Sequence, residues 1–172
     1  MSQNKKRILA IDPGTRRIGV ALLENGKILY HGVKVTKKQK TPAATLDEAR
    51  KVILRLITDL KPRILICEKA FFSKNRNASL LRVLVDEMKA IARRKGIHFQ
   101  SFAPSTVKKH IAGNGRASKM EVAKVVVSKY PELKVFLTQD RAWKEKFHQN
   151  MFDAVALGMH AQRLIERSKN SG

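Results

Sequence analysis

The 172-residue sequence contains a single cysteine, Cys67, so an intrachain disulfide is excluded. A reducing cytoplasm is the compartment this implies. Long apolar runs are also missing: MSQNKKRILAIDPG opens with basic residues and passes into a short strand-like stretch, so neither a signal peptide nor a membrane span is expected there. No internal repeat or low-complexity tract stands out. Acidic residues are scarce, 14 against 36 Lys and Arg, which leaves a net charge of +22. An excess of this size points to a polyanionic partner, because clustered cations gain binding free energy by releasing the counterions condensed on nucleic acid. An acidic membrane surface is the lesser reading, since no basic amphipathic helix is set apart from the rest. With 43% hydrophobic residues the chain is long enough to bury a core without disulfides or structural metal, and it reads as one domain over 1–172. The tail after about residue 167 is expected to fray, and KVTKKQKTPAAT (34–45) reads as an exposed connection.

Short apolar runs at 7–12 (RILAID) and 18–24 (IGVALLE) flank a turn-rich PGTRR, and Asn25-Gly26 joins the second run to KILYHGVKV (27–35). Asn-Gly between two such runs signals a hairpin, because both residues tolerate positive φ. TLDEARKVILRLITDLK has a helical apolar period, with Thr45 and Glu48 spaced as a capping box and Lys61-Pro62 as its end. RILICE (63–68) and IHFQSF (97–102) are further strands, and a helix is expected from about Asn77 to Lys95, stopped by Gly96. A short helix after Pro104 and a second one capped by Ser118 and Glu121 follow. Three strands, then helices alternating with two more, indicate an α/β domain: a mixed five-stranded sheet with helices on both faces.

Asp12 and Glu68 each end an apolar strand, and Asp153 interrupts the apolar side of a C-terminal helix within HQNMFDAVALGMHA. If the two strands are neighbours, both acids point toward one spot and repel unless a cation lies between them. Hard divalent cations such as Mg²⁺ favour such carboxylates, and a metal pair about 3.5–4 Å apart activates water and steadies the leaving oxygen of a phosphodiester. Each acid also has an ordinary structural reading. Asp12 can open a turn, Glu68 can be a strand-end acid, and Asp153 can pair with an Arg or cap a helix.

Taken together, ILAIDPGTRRIGVALLE, ILICEKAFFSKN, SFAPSTVKKHIAGNGRASKMEVAKVVV and FDAVALGMHA resemble the RuvC family of Holliday-junction resolvases, in the family's order and over most of the chain. The opening alone is similar to the YqgF family as well, but the acid in ICEKAFF and the VKKHIAGNGRASK segment do not resemble it. The resemblance implies an RNase H-like fold, a homodimer, and Mg²⁺- or Mn²⁺-dependent cleavage, with two ions per site, of paired phosphodiesters in a four-way DNA junction. It also implies branch-migration machinery as a partner. Asp12, Glu68 and Asp153 match site carboxylates, and Lys108 and Lys119 match two functional lysines. Phe71, or Phe72 beside it, matches an aromatic that acts at the junction centre by stacking. Lys74, Arg76, Lys109 and Arg116 read either as DNA contacts or as a solvated basic face. The helix after Asn77 carries Leu80, Leu81, Leu84, Val85, Met88 and Ile91, more apolar surface than one packing stripe needs; in the family the corresponding helix forms the dimer interface, and a helix fully buried within one subunit is the structural alternative.

One position departs from the pattern. The family places a fourth ligand, usually Asp and sometimes His, three residues before the last Asp, where this chain has Asn150. On a helix Asn150 lies roughly 60° from Asp153 and shares its side, whereas His148 lies about 140° away unless it precedes the helix in a loop. Three expectations follow: Asn150 gives its amide oxygen to the metal, His148 swings in from a loop as ligand or proton carrier, or the site is weakened. Asp140 is a remote further acid. A catalytically weakened binder of branched DNA or structured RNA, and an RNase H-like nuclease with another nucleic-acid substrate, are the alternatives to a junction resolvase.

Overall fold

The computed structural model describes residues 6–69, 76–137 and 142–170. Phe71, Phe72, Lys74 and Asp140 lie outside the described residues, as does the side chain of Arg76. Five strands, β1 (Arg7–Asp12), β2 (Arg17–Glu24), β3 (Lys27–Val35), β4 (Ile64–Glu68) and β5 (His98–Phe102), form one sheet in the order β3-β2-β1-β4-β5. The first three are antiparallel; β4 lies parallel to β1, and β5 parallel to β4. Asn25 and Gly26 both take positive φ, 52° and 76°, and make the expected hairpin turn.

The described helices are α1 (Pro42–Leu60), α2 (Arg76–Arg94), α3 (Pro104–Ala112), α4 (Lys119–Lys129), the single turn α5 (Lys134–Leu137) and α6 (Ala142–Asn170). Strand alternation sorts the core into two layers. Leu9, Ile11, Leu65 and Cys67 pack with α1 and α2, whereas Ile8, Ala10 and Ile66 pack with α3, α4 and α6. Asp12 and Glu68 continue the even-numbered rows of β1 and β4, so both acids face α6.

Two local expectations are corrected. Thr45 does not cap α1: the helix begins at Pro42, whose fixed φ suits a first turn, and Thr41 accepts the Ala44 N–H at 3.1 Å. Thr45 lies inside and its hydroxyl donates to the Thr41 carbonyl. α6 runs as helix to Asn170, past the position 167 where the tail was expected to begin. His148 does not precede the C-terminal helix in a loop; α6 starts at Ala142, so His148 is helical. The expected Ser118–Glu121 box at α4 is present in both directions.

His160 of α6 is 3% exposed, and its Nδ1 faces Nδ1 of His110 on α3, with the Phe102 ring edge-on beside it. In a neutral pair one imidazole donates and the other accepts; a further proton would make both donors. Burial, then the charges of His110 and Arg163, push His160 down to about 4. A histidine depressed in this way contributes stability above its unfolded value of 6.5, and that contribution is lost as pH falls toward 4. Thermal melts of His160→Phe should therefore lose less stability than the parent between these limits, by about 1–3 kcal/mol. Equal losses would show that the pair is not the acid-labile contact.

Candidate metal-dependent nuclease site

The pairing of Ile11 with Cys67 sets Asp12 and Glu68 side by side at the ends of parallel neighbours β1 and β4. α6 crosses this edge so closely that an added Cβ at Gly19, the β2 partner of Asp12, would lie 1.9 Å from the Asn150 carbonyl oxygen. Asp153, one helical turn after Asn150, completes the acidic group. Lys119 arrives from the first turn of α4, held there by the Ser118 cap, and its Nζ donates to Asp153 Oδ2 at 2.9 Å.

The acids feel one another. Burial, then the charges of Asp153 and Glu68, raise Asp12 to about 8, although Asn150 and Lys119 pull the other way. Glu68 is raised to about 7, by burial and by Asp153, against the charges of Lys119 and Lys108. For Lys119 burial acts downward, but the Asp153 charge and hydrogen bond, with Asp12 and Glu68, outweigh it and the ammonium is raised. Carboxylates raised first by burial and then by one another's charge need a cation to be ionised together.

The donor set fits a hard divalent ion: it is all oxygen, it is acidic, and it repels itself without positive charge. Among the described residues no three His, Cys, Asp or Glu side chains close into a ready-made cage. Asp153 has Lys119 on Oδ2 and Gln149 Nε2 on Oδ1, and Asp12 Oδ2 accepts Asn150 Nδ2.

The structure brings Asp12, Glu68, Asp153, Asn150 and Lys119 together, and sets Lys108 near enough for its charge to act on Glu68. Lys109 and Arg116 are exposed on and after α3. Asn150 turns its amide nitrogen toward Asp12. The loop-borne role for His148 is corrected. It lies five positions before Asp153 on the same helix, about 140° around, and its ring packs 4.9 Å from that of Phe136. Gln149 was missed by sequence reasoning, although its i,i+4 spacing from Asp153 is the signal that would have found it.

Residues 8–142 match the family model for crossover junction endodeoxyribonuclease RuvC. The chain belongs to the RuvC family. The matched span holds Asp12, Glu68, Lys108 and Lys119 and stops short of Asn150 and Asp153. The RuvC of Neorickettsia sennetsu is 30% identical over 161 residues, 90% of this chain and 92% of that one, an extent that takes in Asp153. The RuvC of Prochlorococcus marinus strain MIT 9312 is 36% identical over 126 residues, 70% of this chain and 80% of its own.

Among solved structures, Thermus thermophilus RuvC superposes with a TM-score of 0.70 at 21% identity, covering 93% of this chain and 96% of that one. The yeast mitochondrial Holliday junction resolvase Ydc2 gives 0.68 at 14% identity, covering 96% and 82%. The shared fold is the RNase H-like fold of RuvC-type resolvases. RuvC nucleases are metal-dependent. Among the described residues no helix is long and apolar enough to cross a membrane.

Proposed function

We propose that this protein is a structure-specific endonuclease that cuts four-way DNA junctions in recombination and repair, in the cytoplasm. The observation that carries the reading is the meeting of Asp12, Glu68 and Asp153 beside Lys119 at the open end of the sheet. Asp12, Glu68 and Asp153 would hold Mg²⁺ or Mn²⁺, two ions per site. Bound there, the ions supply activation of water and stabilisation of the leaving oxygen.

The chain's own part is to hold and balance charge. Asp12 and Glu68 would release their protons to solvent as a cation binds, and Lys119 offsets the negative charge that a scissile phosphate adds. Lys108, Lys109 and Arg116 supply cations for DNA backbone, as do Lys74 and Arg76 by their place in the sequence. Phe71 or Phe72 would stack on an exposed base.

The reading includes a homodimer. On α2, Leu84, Met88 and Ile91 are consumed by the subunit's own core, while Val83 is 45% exposed beside the partly covered Leu80. Branch-migration machinery as a partner belongs to the same reading. A mobile four-way junction incubated with the protein and Mg²⁺ or Mn²⁺ should acquire paired, symmetric nicks. Absence of nicks in either metal would overturn the claim. The second reading, a binder of branched nucleic acid that does not cut, is favoured by Asn150. It predicts junction binding that survives loss of Asp12, with no cleavage by the parent protein.

A further inference from the structure

Two successive amides on α6 each hold a different acid. Gln149 Nε2 donates to Asp153 Oδ1 at 3.0 Å along one helical turn, and Asn150 Nδ2 donates to Asp12 Oδ2 at 2.9 Å across the gap between helix and sheet. The anchor at 150 is rigid. Its backbone carbonyl rests on Gly19 with no room for a side chain between them, so the sheet itself sets where the amide starts. A carboxylate in its place would bring a second negative oxygen within hydrogen-bond distance of Asp12 Oδ2, a repulsion that an amide replaces with a donor. The other oxygen of Asp153 accepts Lys119. Rotamers of Asp12 and Asp153 are thus held by donors of the chain itself.

We propose that Gln149 and Asn150 are positioning residues for the cleavage reaction, neutral donors that each fix one site carboxylate, and that Asn150 is not a metal ligand. The proposal rests on the resolvase reading and deepens it at the same site. A site built this way works with three carboxylate charges, and the residue at 150 contributes orientation where an acid would contribute charge. Side chains that orient the groups around a metal act mainly on how well the reacting atoms are aligned.

Asn150→Ala and Gln149→Met test it against Asp153→Ala, with Mn²⁺ affinity measured by the paramagnetic resonance of free Mn²⁺ and cleavage measured in single turnover at saturating Mn²⁺. For the two amide variants we expect Mn²⁺ affinity within about threefold of the parent, unchanged junction affinity, and a cleavage rate lower by about 10–100-fold. Asp153→Ala should lose Mn²⁺ affinity by more than about tenfold. If Asn150→Ala weakens Mn²⁺ binding as much as Asp153→Ala, Asn150 is a ligand and the proposal is overturned. It is overturned equally if both amide variants cut at the parental rate. Should Asn150→Ala fail to fold, Gln149→Met carries the same comparison, because its side chain runs along its own helix. A parent protein that binds Mn²⁺ and cuts no junction removes the resolvase reading instead, and the Mn²⁺ affinities still decide the role of Asn150.

Discussion

Asp12→Asn should abolish junction cleavage, by at least about 10²–10³-fold, while making the metal-free protein more stable at pH 8.5. The first effect follows from removing a charged oxygen donor at the centre of the acidic group. The second follows from its pKa. Asp12 and Glu68 are raised from 3.8 and 4.5 to about 8 and about 7, with burial the largest cause for both. Groups raised in this way contribute stability that is fully present below their unfolded values and is lost as pH rises through the folded ones. Metal-free parent protein therefore weakens between about pH 4 and pH 8 on their account, opposite in sign to His160. The neutral amide escapes this loss and still accepts the Asn150 donor. At pH 8.5 the gain should be about 1–3 kcal/mol, with Tm higher by roughly 2–4 °C per kcal/mol, and it should shrink at pH 6. Added Mn²⁺ should raise the Tm of the parent and leave the variant nearly unchanged. A lower Tm for Asp12→Asn at pH 8.5 would mean that Lys119 already balances the acids in full.

Gly19→Ala should be almost as damaging, although residue 19 carries no chemistry. Its new Cβ would fall 1.9 Å from the Asn150 carbonyl oxygen and 2.4 Å from the carbonyl carbon, so α6 must retreat by roughly 1 Å. The retreat carries Asn150 away from Asp12 and takes Asp153 with it. Overpacking of this kind costs about 1–3 kcal/mol, and a displacement of about 1 Å at a reacting centre costs about 10²-fold in rate. Thermal melting and single-turnover cleavage check the two effects. Gly32→Ala on β3 is the control, since a Cβ there meets only the Tyr30 hydroxyl at 3.9 Å. Equal behaviour of the two variants would show that helix–sheet contact at Gly19 does not set the site.

Much of this was legible in the order of residues. RILAID, IGVALLE and KILYHGVKV become β1 to β3 within one residue of their expected ends, because the turn residues between the runs leave little freedom of boundary. The Ser118–Glu121 box forms as spaced, since both partners are local and nothing competes for Ser118. At α1 the same pattern failed, for Pro42 behind Thr41 offered an earlier start with a donor to cap. At the beginning of α6 the signal was present but went unread: Trp143, Phe147 and Met151 recur every fourth residue, a helical spacing set among charged and polar residues.

The sequence by itself determined the five-stranded plan, the basic surface and the placing of acids at strand ends, because strand period and charge are properties of neighbours along the chain. It also determined the family, through motifs spread over most of its length. Only the tertiary structure decided how the acids are served. That Asn150 gives a nitrogen to Asp12, that Gln149 holds Asp153, and that His148 turns toward Phe136 instead all depend on where α6 meets the sheet. That meeting is set by the bare backbone of Gly19, 131 positions before Asn150 (150 − 19), a separation over which no local pattern has a say.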